Sequence, residues 1–176
     1  MSRLAFMTFA VFSHPSSHKS HATFMELATV IFRQLGTFDG FIDASVLLNG
    51  TLYYYSDQDP SVWGEAANPS FAHVGQDITQ LPTVLTLSLW KSIESVRYFA
   101  YNGLHETALI RRKEWFLPPR WPTYAMWWVE DEVFPTYASA SRRLEILHSQ
   151  KSSPVAFDFA TPFSPADAAI LPSTAR

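Results

Sequence analysis

The chain is short, nearly neutral and free of cysteine: it has 176 residues and a formal net charge of −3 at pH 7. This length predicts one domain, over residues 1–163, followed by a loose C-terminal tail over residues 164–176. The lack of cysteine excludes disulfide bonds, a thiolate nucleophile and zinc sites with sulfur ligands. Scattered Lys and Arg argue against a nucleic-acid partner, and no apolar segment approaches the roughly 20 residues that span a bilayer. We therefore expect a cytoplasmic protein that binds neither nucleic acid nor membrane.

Strand-like and helix-like segments follow one another along the chain. Asn49-Gly50 separates two apolar runs and suits the positive φ angles of a type I′ hairpin turn. The segment from about Ser56 to Pro82 lacks periodicity, which predicts a long surface excursion. The predicted elements are a strand over Arg3–Phe12, a helix from Ser20 to about Gly36, strands over 41–48 and 51–55, a strand over Thr83–Trp90, a helix capped by Ser92 and kinked at Gly103, a strand over Thr123–Glu130 and a helix opened by Pro135.

This order predicts an α+β fold with a ferredoxin-like antiparallel sheet and helices on one face. Helices on one face leave the other face of the sheet uncovered. A second copy of the chain commonly covers such a face, so we expect a homodimer.

Several short motifs in the second half of the chain carry a resemblance to a known group of proteins. They are a strand ending in Ser-x-Trp, the pattern His-x6-Arg-x2-Trp-Phe in "HETALIRRKEWF", a strand with Trp-Trp, then Pro-Thr, and a helix with Arg-Leu. In this pattern the chain resembles a family of short proteins of unassigned function in the dimeric α+β-barrel superfamily. The matched positions are Trp90, His105, Arg112, Trp115, Phe116, Trp127, Trp128, Pro135, Thr136, Arg143 and Leu144.

The resemblance implies a dimeric barrel with a pocket between the sheet and its helices. Members of that superfamily include antibiotic-biosynthesis monooxygenases, muconolactone isomerases, polyketide cyclases and haem enzymes such as dye-decolourising peroxidases and aldoxime dehydratases. These activities differ, so the resemblance implies candidate site residues and leaves the reaction open.

His105 and Arg112 are the candidate catalytic residues, because they lie about 10 Å apart on one apolar stripe of a predicted helix. In an aromatic chamber a neutral His105 is suited to act as a general base, while Arg112 holds an anionic or enolate oxygen. The structural alternatives are a buried histidine bonded to a carbonyl, and an arginine paired with Glu94 or Asp158. Six Trp, seven Tyr and fourteen Phe supply apolar pocket walls as well as a core. The candidate substrate-binding residues are Trp90, Trp115, Phe116, Trp128 and His14.

Three histidines in "HPSSHKSH", namely His14, His18 and His21, invite a metal interpretation, but the segment is more typical of a solvated loop. We therefore predict no metal site. No cofactor is predicted either, although His105 is also suited to be the proximal ligand of a haem.

The sequence thus favours an enzyme of secondary metabolism that acts on a hydrophobic metabolite by metal-free acid-base chemistry: a cyclisation, isomerisation or dehydration. A cofactor-independent monooxygenase is the first alternative. A haem enzyme and a non-catalytic protein that binds a hydrophobic ligand are the others.

Overall fold

The computed structural model describes residues 2–70 and 81–169. Part of the predicted excursion between Ser56 and Pro82, and the end of the predicted tail, lie outside these residues. The elements are β1 Ser2–Val11, α1 Lys19–Gln34, β2 Phe41–Leu48, β3 Thr51–Tyr54, β4 Thr83–Trp90, α2 Ile93–Ala100, α3 Gly103–Arg111, β5 Tyr124–Glu130, α4 Tyr137–Gln150 and α5 Pro165–Ala169.

The five strands form one antiparallel sheet in the order β3-β2-β4-β1-β5. The prediction of an α+β protein is confirmed, and this strand order is compatible with a ferredoxin-like fold in which β3 extends one edge. Asn49 and Gly50 have φ angles of 47° and 80° between β2 and β3, so the hairpin turn also forms as predicted.

The prediction of helices on one face of the sheet is wrong, because helices cover both. On one face α4 and the turn around Trp63 pack against the sheet in a group that we call the Trp127 cluster. It forms because alternate residues of β1 and β4 are apolar on both sides of the sheet, so each side needs a cover. The cluster includes Ala5, Met7, Phe9, Trp63, Leu85, Leu87, Trp127, Tyr137, Ala140, Leu144 and Leu147.

The opposite face, which we call the helical face, carries α1, α2 and α3 above two separate apolar clusters. The Trp90 cluster lies at one end of this face, and α2 packs closely on it. The Trp115 cluster lies at the other end. The Trp90 cluster includes Leu4, Phe6, Ala44, Trp90, Phe99, Met126 and Phe157, and the Trp115 cluster includes Phe12, Leu48, Val84 and Trp115.

The long helix predicted after Ser92 is divided into α2 and α3 at Gly103. Ser92 caps α2 as predicted, with its side chain accepting a hydrogen bond from the backbone N–H of Ser95. Gly103 has a φ of 62°, a left-handed conformation that glycine adopts without strain, so the chain changes direction there. This break places His105 in the first turn of a new helix, directed back at the end of α2.

None of the helices in residues 2–70 and 81–169 is both long enough and apolar enough to cross a membrane.

Candidate ligand-binding cleft

His105 is half-buried, and its imidazole is held by the end of α2. Nδ1 donates a hydrogen bond to the carbonyl oxygen of Ala100 at 2.9 Å, and the ring packs on Phe99 with 4.5 Å between ring centroids. A carbonyl oxygen can only accept, so Nδ1 carries the proton and Nε2 holds the lone pair. Burial lowers the pKa of His105 from its ordinary value of 6.5, and the hydrogen bond to Ala100 opposes this shift only in part. The imidazole is therefore neutral near pH 7 and basic at Nε2.

Arg112 lies just past α3 and is exposed. Its guanidinium donates a hydrogen bond to the carbonyl oxygen of Leu109, one turn earlier in the same helix. Neither carboxylate considered as its partner binds it in the described structure, and the ion pair in this region joins Arg111 to Glu114 at 2.8 Å. The structure therefore does not pair Arg112 with His105.

The predicted substrate-binding residues divide between the two clusters of the helical face. Trp90 is completely buried and donates its indole N–H to Ser88, whereas Trp128 is half-buried and donates to the carbonyl oxygen of Phe163. At the other end Trp115 is buried, and Phe116 packs beside it. These aromatic residues therefore do not form one chamber.

His14 lies on the loop that leads into α1, directly after Ser13, whose backbone N–H donates a hydrogen bond to the carbonyl oxygen of Trp115. Its exposed ring stacks on that of His18 with 4.0 Å between ring centroids. His18 accepts a hydrogen bond from the backbone N–H of Ser20 and so caps α1, while His21 packs against Phe12. Within the described residues, no three His, Asp or Glu side chains are grouped closely enough to hold a metal ion.

A row of partly exposed side chains crosses the sheet between the Trp90 and Trp115 clusters. Val46, Thr86, Thr8 and Tyr124 pair in register across four adjacent strands and face the helices. All four are half-buried, whereas Phe6, in the next row of the same face, is only 4% exposed. Side chains in the middle of a sheet that helices cover are normally buried completely, and these four are not. Solvent therefore reaches this face between the two clusters.

The helices above this row pack loosely. α1 has 16 residues and α3 has nine, yet neither contains a buried residue. By contrast, α2 buries three of its eight residues and α4 buries five of its 14. Protein interiors are close-packed, so a helix that rests directly on a sheet buries side chains completely. We infer that α1 and α3 cover this row of the sheet incompletely and leave space above it.

We call this space the α1–α3 cleft. Its floor is the row Val46, Thr86, Thr8 and Tyr124, and the two apolar clusters close its ends. The inward-facing side chains of the helices that border it include Leu27 and Ile31 of α1 and His105 and Ala108 of α3.

The floor of the α1–α3 cleft carries polar groups that the sequence motifs did not indicate. The hydroxyl groups of Thr8 and Thr86 are hydrogen-bonded to each other at 2.7 Å. The Tyr124 hydroxyl accepts a hydrogen bond from the backbone N–H of Phe159, and burial raises the pKa of Tyr124, so it stays protonated. Among the described residues its own O–H hydrogen has no acceptor, so it is available as a donor. The signal that could have identified the pair was one Thr in the middle of each of two apolar strands.

Arg143, another of the positions that match the motifs of the sequence, has a structural role on the other face of the sheet. Its guanidinium stacks over the ring of Trp127 at 5.1 Å and donates a hydrogen bond to the carbonyl oxygen of Val155. Burial lowers the pKa of Arg143 to about 10. The residue thus ties the segment after α4 to the Trp127 cluster.

Two open depressions lie on the surface away from the α1–α3 cleft. One, of about 570 Å³, is lined by residues that include Asp39, Glu94 and Tyr98, and the other, of about 500 Å³, by residues that include Lys151 and Asp158. Neither is lined by a predicted site residue. Both are partly open to solvent, whereas binding sites for small molecules usually enclose most of the ligand. We therefore regard the cleft as the better candidate.

The chain matches a known protein family, but no curated protein. The model of a domain of unknown function, DUF3291, matches residues 3–172 of the chain. No curated protein matches it. No curated relative therefore supplies a reaction for the cleft.

Proposed function

Because the chain belongs to the DUF3291 family, a domain of unknown function, we propose its activity from its own residues. The protein binds a hydrophobic, ring-containing small molecule in the α1–α3 cleft, and His105 moves a proton on that molecule. The reaction class is a cyclisation, isomerisation or dehydration.

The geometry of His105 is the observation that carries this proposal. The bond from Nδ1 to the carbonyl oxygen of Ala100 fixes the tautomer, and the ring of Phe99 fixes the plane of the imidazole. Within the described residues no donor is bonded to Nε2. A fixed, neutral imidazole with an unoccupied lone pair is what general-base catalysis near pH 7 requires.

The surroundings of His105 favour an apolar substrate. Phe99 lies against it, and Ala108 lies one turn further along the same side of α3. Both ends of the cleft are aromatic, so flat rings have apolar surfaces to bury against. The side chains named above as the floor, the borders and the ends of the cleft are uncharged near pH 7.

The homodimer and the cofactor-independent monooxygenase were also expected from the sequence, and the structure bears on the reasoning behind each. Homodimer formation was expected because one sheet face was thought to be uncovered, and α4 covers that face. Oxygenation without a cofactor begins with removal of a proton from the substrate, as the proposed reaction does, so His105 is suited to that first step as well.

Deuterium uptake by 2-tetralone, a two-ring ketone with acidic hydrogens beside its carbonyl, tests the proposal without the natural substrate. In D₂O under nitrogen, the purified protein should accelerate exchange at those carbons, as followed by proton NMR. His105→Asn should reduce this rate by about 10²-fold, the lower end of what one positioned base contributes. Exchange by the wild type that is no faster than with free imidazole would contradict the proposal.

The matched control is His148→Asn, because His148 is an exposed histidine on α4, outside the residues that define the cleft. This variant should exchange 2-tetralone at the wild-type rate. The melting temperature of His105→Asn should lie close to that of the wild type. A His105 variant that loses stability and exchange together, with Asn restoring more of both than Ala, would instead show a structural histidine. A Soret band in the absorption spectrum of the pure protein would favour the haem alternative.

A further inference from the structure

We propose that the hydroxyl pair of Thr8 and Thr86 binds an oxygen atom of the ligand. This rests on the proposed function and narrows its substrate class. The ligand is then a flat aromatic alcohol, enol or ketone, with its oxygen near the middle of the molecule and apolar carbon at both ends.

The pair has unused hydrogen-bonding capacity. Two hydroxyl groups together offer two donors and four acceptor lone pairs, and their mutual bond at 2.7 Å uses one of each. One O–H is therefore left to donate to a carbonyl or enolate oxygen, and several lone pairs are left to accept from a ligand hydroxyl. Because both side chains are half-buried, a ligand in the cleft reaches them.

The position of the pair sets the shape of the ligand. Thr8 and Thr86 lie on the two central strands, β1 and β4, in the row between the Trp90 and Trp115 clusters. A molecule above them has its oxygen over the middle of the floor and its apolar ends against one cluster on each side. Fused two-ring compounds with one oxygen have this distribution.

A purely structural pair is the competing explanation, since Thr–Thr bonds across strands also stabilise sheets. Ser88 on the same face shows how such a hydroxyl is used in a closed core. It is 6% exposed, donates to the carbonyl oxygen of Phe6 and accepts from the indole N–H of Trp90. Thr8 and Thr86 are bonded to each other alone among the described residues, and they remain accessible.

The test compares the binding of two probes of nearly equal shape, 2-naphthol and 2-methylnaphthalene, by equilibrium dialysis. The wild type should bind 2-naphthol more tightly by about tenfold, the ratio that one additional hydrogen bond gives. In the double variant Thr8→Val with Thr86→Val, both probes should bind with similar affinity. Valine has almost the shape of threonine and keeps the preference for a strand, so the fold should persist. Melting curves of the variant check this.

The matched control is Thr29→Val on the exposed side of α1, which should keep the wild-type ratio. Equal affinities of the wild type for both probes, or a tenfold ratio that survives in the double variant, would overturn the proposed role of the threonines. Absence of binding of either probe would overturn it too.

A further variant, Ala108→Phe, distinguishes a wrong role for the threonines from a wrong location of the binding site. The larger side chain should fill the α1–α3 cleft and prevent binding there. If it removes binding while the threonine variant has no effect, the cleft binds ligands without this anchor. If probes bind equally well to Ala108→Phe, the site lies elsewhere, and both proposals fail.

Discussion

A histidine in an apolar setting links the stability of this protein to pH. Burial lowers the pKa of His105 in the folded state below its ordinary value of 6.5. As the pH falls below about 6.5, the unfolded chain takes up a proton at this site before the folded chain does. The contribution of His105 to stability is therefore present above about pH 6.5 and is lost as the pH falls through the folded pKa.

The effect of His105 on stability can be isolated by comparison with His105→Asn, in which position 105 cannot be protonated. Between about pH 7.5 and pH 5, the melting temperature of the wild type should fall more than that of the variant. The other histidines are common to both proteins and cancel in the comparison. Calorimetric melts at both pH values measure the difference. Parallel decreases would mean that the environment of His105 does not oppose its protonation.

The sequence allowed single residues to be identified, but not their contacts. His105 was found from its place on an apolar stripe, and a kink at Gly103 was predicted, but the direction of that turn and the resulting bond to Ala100 were not. Thr8 and Thr86 are 78 residues apart and meet only through the register of β1 and β4. Predicting that pair requires the strand order.

Elements were predicted more securely than residues, with one informative exception. β4 spans Thr83–Trp90 as predicted, and the Asn49-Gly50 turn forms, because both signals are local in the sequence. The exception is α4, which was expected on the same face of the sheet as the other helices and lies on the opposite face. Its apolar residues Tyr137, Ala140, Leu144 and Leu147 show only that one side of the helix is buried, not against which sheet face.

The contrast between loosely and closely packed helices makes a prediction for hydrogen exchange. α1 and α3 bury no residue completely, whereas α4 buries five and is fixed at its start by a capping box of Thr136 and Ser139. Backbone amides of α1 and α3 should therefore exchange faster than those of α4. Addition of 2-naphthol should slow exchange in α1 and α3 and leave α4 unchanged. Hydrogen exchange with mass spectrometry resolves these segments, and equal protection of α1 and α4 would contradict a loosely covered cleft.

At the scale of the whole molecule, both faces of the sheet are covered by the chain itself. The Trp127 cluster supports α4 on one face, and the Trp90 and Trp115 clusters support three helices on the other. The fold of the described residues thus contains no large uncovered sheet face whose burial would require a second copy.

This removes the reason for which a homodimer was expected, but leaves that expectation untested, and the mass to compare with is the 20.0 kDa of one chain. Light scattering during size-exclusion chromatography gives the mass, and repeated dilution with circular dichroism shows whether folding depends on concentration. A dimer that unfolds on dilution would restore the homodimer expected from the sequence.

The central claim is that ligands bind between the helices and the sheet, beside His105. Titration of the isotope-labelled protein with 2-naphthol, followed by amide and methyl NMR spectra, tests it most directly. The largest shifts should occur at Thr8, Thr86, His105 and Ala108, with little change along α4. Shifts confined to the surface depression around Asp39 and Glu94, or to the α4 face, would contradict it.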